Sequence, residues 1–242
     1  SNDGVVVWDG SRHHLLQFSW NGTCTADDVV PGWEAPAGSM AIIGETLFVA
    51  GDAAETPCVF FSVDLRHPGN VRTCFDSLTD PAMSILYARE YVATRSDAVD
   101  FALPYEAAVR ESRHGQPAKQ HAVSRLGLPP YSVPPNDVLI RSNRKLFFEF
   151  YNGQKVLEGI ADVTGGLVMV TRTPASGESR IDLNYYTSGA SVPAATATLM
   201  VEGAKGAYNV TVRGDGRKYV YLLVAQGAWP TPQYEVLIYE VR

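Results

Sequence analysis

Short β-rich runs, some alternating apolar and polar positions with a period of two, recur along this chain, and the clearest example is the stretch Ala41 to Phe75. Glu45 to Ala50 forms a short β-rich run stopped by the turn dipeptide Gly51-Asp52. In the next run, Cys58 to Leu65, the side chains of Val59, Phe61, Val63 and Leu65 fall on one face and Ser62 and Asp64 on the other, with Phe60 breaking the alternation. That pattern predicts a strand with one fully buried face. The turn His67-Pro68-Gly69-Asn70 then leads into Val71 to Phe75, so the 35 residues read as three consecutive antiparallel strands.

A meander of that size cannot bury both faces alone, so recurrence would imply radial or stacked repetition. The order returns near the end of the chain. Gly216 to Ala225, a Gly-Ala-Trp-Pro loop and Tyr234 to Arg242 again give strand, loop and strand, with Leu222-Leu223-Val224-Ala225 matching Leu47-Phe48-Val49-Ala50. At the other end, Gly4 to Trp8 and Leu15 to Trp20 flank an Asp9-Gly10 turn. In a ring of sheets the first of these strands is expected to complete the last sheet beside Tyr234 to Val241, removing an open edge. Asn21 to Ser39 is polar and turn-rich, a surface connection.

The middle of the chain is less regular. Met83 to Ala93 and Val99 to Leu103 suggest two more strands, with helix as the rival reading. Tyr105 to Arg113 has helix-favouring composition and is stopped by Gly115 and Pro117, predicting a short surface helix. Residues 114–136 include the proline-rich run Leu128 to Pro135, and the whole of about 104–136 is expected as a long irregular insertion. Strands then return at Asp137 to Arg141, Lys145 to Tyr151, Lys155 to Ala161, Gly166 to Thr173, Arg180 to Tyr186, Ala195 to Val201 and Ala207 to Val212. Asn152-Gly153 and Gly214-Asp215-Gly216 are hairpin turns, the first of the type that needs φ > 0 at both central residues.

Roughly 18 to 20 strands at a spacing of about 8 to 12 residues predict an all-β protein. With four strands to a blade, the expected architecture is a single β-propeller domain, residues 1–242, of about five to six blades. Two β-sandwich domains divided near residue 130 are the alternative. The segments LFVAGD and VFFSVDLRHPGNV resemble the strand, strand, Asp, Pro pattern of β-propeller repeats, loosely the LVIVD type. That resemblance implies an architecture shared by enzymes, lectins and scaffolds, and no particular activity.

Composition removes several classes. A net charge of -6, from 26 acidic and 20 basic residues, gives no electrostatic reason to expect nucleic acid or an anionic membrane. No apolar run approaches the length of about 18 residues that a membrane helix needs, so no membrane insertion is expected. The opening Ser-Asn-Asp reads as a cut or processed start. Of the three cysteines, Cys58 and Cys74 lie on strands close enough to bridge in an oxidising compartment, but buried free thiols are the expected state. Asn21-Gly22-Thr23 and Asn209-Val210-Thr211 are glycosylation sequons, a number near chance. The compartment is left open.

Candidate chemistry is sparse. The chain lacks nucleophile-elbow, zinc-protease, phosphate-loop and dinucleotide signatures, so no catalytic residue and no cofactor is assigned. Adjacent His13 and His14 on a strand-like run would point to opposite faces, and His67, His114 and His121 have no ligand at metal spacing, so no metal site is expected. Aromatic residues in loops are the more informative feature. Trp33 follows Pro31-Gly32 with Glu34 beside it, Tyr131 lies between proline pairs, and Trp229 lies between Gly227 and Pro230. Loop aromatics offer a large rigid surface at small entropic cost, and these four residues are the candidate binding positions. The function expected is a non-enzymatic scaffold that contacts a protein partner through its loop faces. The alternative is a carbohydrate-binding, lectin-like or glycan-active propeller at the cell surface.

Overall fold

The computed structural model describes residues 4–9, 12–30, 39–50, 58–68, 73–77, 91–95, 98–103, 106–113, 119–123, 127–128, 153–175, 178–202, 210–226, 231 and 233–242. Every regular element among them is a strand. In chain order these are β1 (Gly4–Asp9), β2 (His14–Ser19), β3 (Cys24–Val29), β4 (Ser39–Ile43), β5 (Thr46–Ala50), β6 (Cys58–Asp64), β7 (Thr73–Ser77), β8 (Tyr91–Thr94) and β9 (Ala98–Ala102). They continue with β10 (Ala108–Arg113), β11 (Lys119–Ala122), β12 (Val156–Val163), β13 (Gly166–Ala175), β14 (Glu178–Thr187), β15 (Ala195–Glu202), β16 (Val210–Gly214), β17 (Tyr219–Gln226) and β18 (Gln233–Glu240).

Each sheet is a meander of consecutive strands: β1-β2-β3, β4-β5-β6-β7, β8-β9-β10-β11, β12-β13-β14-β15 and β16-β17-β18. First strands lie side by side, β4 against β8 and β12 against β16. Successive meanders packed through their leading strands are the arrangement of a β-propeller, and the fold belongs to that class. The chain divides into two compact units, Ser1–Phe101 with Glu111–Lys119, and Ala102–Arg110 with Gln120–Arg242. Among the described residues no helix is long and apolar enough to cross a membrane.

In the first unit, Leu47, Val49, Phe61 and Val63 of the β4 to β7 sheet meet Leu15 and Val30, with Val6 and Trp8 packed against them. Phe60 does not break the strand pattern. It occupies a second buried face, where its ring stacks on Phe101 at 4.8 Å and on Phe48 at 6.2 Å. A blade sandwiched between neighbours hides both faces, so both phases of the alternation are apolar. In the second unit, Val168, Val170, Ile181 and Leu183 pack against Val212, Val220, Leu222 and Val224. The approach is close enough that a Cβ on Gly159 would lie 2.6 Å from a Val212 methyl.

Four expectations from sequence change here. Residues 108–113 are strand β10, where a helix was predicted. Helix propensity is a weak preference, and pairing with β9 and β11 overrides it. Arg95, at the end of β8, chelates Asp100 of β9 and also pairs with Glu111 of β10. Glu111 is held below the ordinary carboxylate range by Arg113, at 2.6 Å, and by Arg95. The helix would scatter these groups. β1, expected to complete the last sheet, pairs with β2 along its whole length and belongs to a different sheet from β18. A short local hairpin has a far smaller closure entropy than a strand pairing across the chain. His13 takes φ 58° in the tight turn between them, so it is not in a strand. Cys58 and Cys74, expected as free thiols, form a disulfide, because β6 and β7 bring their Cα atoms to 5.9 Å. Cys24 is a free, exposed thiol.

Candidate protein-binding face

The sheet β16-β17-β18 has two faces of different fate. Its inner phase, Val212, Val220, Leu222 and Val224 with Leu237 and Tyr239, joins the core described above. The outer phase is also apolar, and among the described residues much of it stays exposed. Cross-strand register places Tyr221 opposite Ile238, Leu223 opposite Val236 and Ala225 opposite Tyr234, so these side chains form one contiguous patch. Tyr234, Val236 and Ile238 are 63%, 60% and 62% exposed, and Leu223 is 37% exposed.

Charge borders the patch at one end. The Asp215 carboxylate accepts the backbone N–H groups of Arg217, Lys218 and Tyr219 at 2.8, 2.8 and 2.9 Å, which closes the β16–β17 turn and holds its pKa below the usual range. This is the turn expected at Gly214-Asp215-Gly216, with Gly216 at φ 69°. Lys218 lies 4.7 Å from the centre of the Tyr219 ring and donates to Glu240 at 3.0 Å. Contacts with Tyr219 and Glu240 raise the Lys218 ammonium, and Lys218 and Arg242 lower the Glu240 carboxyl. An apolar, aromatic centre with a charged rim is the anatomy of a protein-binding surface. It contains no acid–base or nucleophilic arrangement.

The four positions expected to bind, Trp33, Glu34, Tyr131 and Trp229, lie outside the described residues, as do the strands expected at 137–141 and 145–151. Of the histidines, His14 pairs with Asp27 across β2 and β3, and His13 meets the Trp8 ring edge-on at 6.3 Å. Among the described residues no group of three or more His, Cys, Asp or Glu could hold a metal ion. Sequence reasoning missed the β17–β18 face although a signal was present. Both phases of Tyr219 to Ala225 are apolar or aromatic, and so are those of Tyr234 to Val241 apart from Glu235 and Glu240, which marks strands meant to be covered on both sides.

No protein-family model matches the sequence, and no curated protein is similar to it. Among solved structures the chain is similar to a member of the DUF4221 family from Bacteroides vulgatus, with 9% identity and a TM-score of 0.59 over 99% of this chain and 76% of that one. It is also similar to the Myceliophteria thermophila Cps50 (Swd1) beta-propeller domain, with 11% identity, a TM-score of 0.46 and coverage of 99% and 72%. A streptogramin B lyase has 5% identity and a TM-score of 0.46, covering 100% of this chain and 80% of that one. Such likenesses are of fold alone. The strand order and the packing of leading strands define a β-propeller domain. The finer LVIVD-type assignment has no matching family model.

Proposed function

We propose that this chain is a non-enzymatic β-propeller scaffold, a single domain over residues 1–242, that binds a protein partner. The observation that carries the reading is the uncovered face of Tyr221, Leu223, Tyr234, Val236 and Ile238. Exposed clusters of large apolar side chains on a sheet are costly unless a partner covers them, and tyrosines within such a cluster are common anchors. The loop residues Trp33, Glu34, Tyr131 and Trp229 extend this reading to further contacts.

The test is capture of partners by the immobilised chain and by Leu223→Asp, with Thr187→Asp, exposed at the end of β14, as a control on another sheet. A defined protein retained by wild type and by the control, but lost with Leu223→Asp at unchanged thermal stability, supports the reading. Equal retention by all three excludes this face.

A second reading, a glycan-binding propeller at the cell surface, is favoured by the Cys58–Cys74 disulfide, since such bonds persist in oxidising compartments. A glycan array probed with wild type and with Trp33 and Trp229 substituted separates the two. Sugar binding lost on substitution supports the second reading, and a blank array removes it.

A further inference from the structure

We propose that the open edge of β18 pairs antiparallel with β18 of a second copy of this chain. The sheets β4 to β7, β8 to β11 and β12 to β15 each carry a fourth strand beside their third, whereas β1-β2-β3 and β16-β17-β18 stop at three among the described residues. β18 therefore occupies the place that β14 holds in its own sheet, without the neighbour that β15 supplies.

Its edge has few of the usual protections. Apart from Glu235 and Glu240 it carries no charge, it pairs with β17 over eight residues with no register shift, contains no Pro or Lys, and presents Tyr234, Val236 and Ile238 in alternation. The outer strand β3, by contrast, carries a register shift and Asp27-Asp28, and β7 pairs irregularly with β6. β15 has no register shift against β14, but Thr196 and Thr198 stand where β18 has Tyr234 and Val236.

Backbone geometry then restricts the pairing. Val241 N–H bonds to the Lys218 carbonyl, so in an antiparallel ladder the odd-numbered residues of β18 bond to β17. The N–H and C=O groups of Tyr234, Val236, Ile238 and Glu240 consequently point to the open edge. Two copies related by a two-fold axis normal to the sheet bond through these even-numbered residues. One such register sets Val236 of each copy opposite Ile238 of the other, and Tyr234 opposite Glu240, with Leu237 meeting its own copy on the axis. No like charges stand opposite each other in that register. The pairing is isologous and closes on itself, so it yields a dimer and not a filament. It also keeps the two apolar faces on one side, joining them into a double-sized surface.

Sedimentation across a dilution series of the full chain tests this. Wild type is expected to be a dimer that dissociates on dilution, and Val236→Pro and Ile238→Lys to be monomers with unchanged far-UV circular dichroism. Val236→Pro removes an N–H that points to the edge and not to β17, so its sheet is retained. In a Cys24→Ser background, Leu237→Cys should cross-link to its own copy on mild oxidation, since non-hydrogen-bonded antiparallel pairs lie about 4.5 Å apart at Cα. A wild-type monomer at every concentration, or a dimer that survives both edge variants, overturns the inference. Leu223→Asp leaves the edge intact. Partner capture retained by a monomeric chain would sink the dimer alone, and capture lost from an intact dimer would sink only the partner-binding reading.

Discussion

Strands β14 and β18 are third strands of neighbouring sheets in the second unit, and they differ in what lies beyond them. β14 is flanked on both sides, and its polar side chains are turned to use. The Asp182 carboxylate accepts from Thr198 of β15 at 2.7 Å and from Arg180 at 2.8 Å, and the Asn184 side-chain oxygen accepts from Thr196 of β15 at 3.1 Å. Among the described residues β18 has β17 on one side only, and its outward Tyr234, Val236 and Ile238 are apolar and exposed. Where a fourth strand exists, buried polar groups are satisfied by it. Where none is present among the described residues, the same position in the blade carries exposed apolar side chains.

The comparison breaks hardest at the buried ion pair of the complete sheet. Glu158 occupies the register shift of β12 and accepts from Arg172 of β13 at 2.5 Å, both side chains lying almost wholly out of water. Arg172→Ala should cost about 3–5 kcal/mol in equilibrium denaturant unfolding, because it takes a buried cation away from a buried carboxylate. A loss below about 1 kcal/mol would show that this sheet does not depend on internal polar pairing.

A smaller and more direct contrast compares the two third strands. Thr198→Val should cost about 1–2 kcal/mol through the hydrogen bond lost at Asp182. Ile238→Thr, measured in dilute protein, should change stability by less than about 0.5 kcal/mol, as expected for an exposed site. Similar costs at both positions would mean that β18 is covered within a single copy.

Titration sharpens the difference further. Tyr186, 3% exposed on β14, has its hydroxyl pushed up to about 12 by burial. The folded state holds this proton more tightly than the unfolded chain, where tyrosine ionises near 10. Its contribution is therefore complete below about pH 10 and falls away as pH rises toward 12. Tyr186→Phe should flatten that alkaline limb, and an unchanged limb would place the loss elsewhere.

The smallest effect belongs to the β16–β17 turn. Asp215 is depressed by three backbone N–H donors, so its contribution is present above the unfolded value near 4 and is lost as pH falls through the folded one. Asp215→Ala should shrink the acid-dependent part of stability below pH 4 while leaving the alkaline limb alone. Parallel acid profiles for the two proteins would count against the turn.

Much of the fold was legible. β-Rich runs bounded by turn residues, with clear alternation in 58–64, marked the strands of residues 4–9, 46–50, 58–64, 166–175 and 195–202 to within a few positions, because β-propensity and turn chemistry are local. Residues 108–113 were misread because Ala, Glu and Arg suit an exposed helix and a paired strand almost equally, and only the ions on β8, β9 and β10 distinguish them. The candidate face was less legible. Tyr221, Leu223, Val236 and Ile238 have the pattern of a doubly covered strand, and sequence carries no mark of which face goes uncovered.

By itself, then, the sequence determined an all-β chain of meandering strands, since alternation and turn residues are local properties of the backbone. Tertiary structure alone decided that β1 belongs to a different sheet from β18, that Cys58 meets Cys74, and that Phe60 faces a second buried layer while Ile238 faces solvent. Those outcomes depend on which neighbour lies across each strand. Closure entropy and packing set that choice over distances that no local pattern encodes.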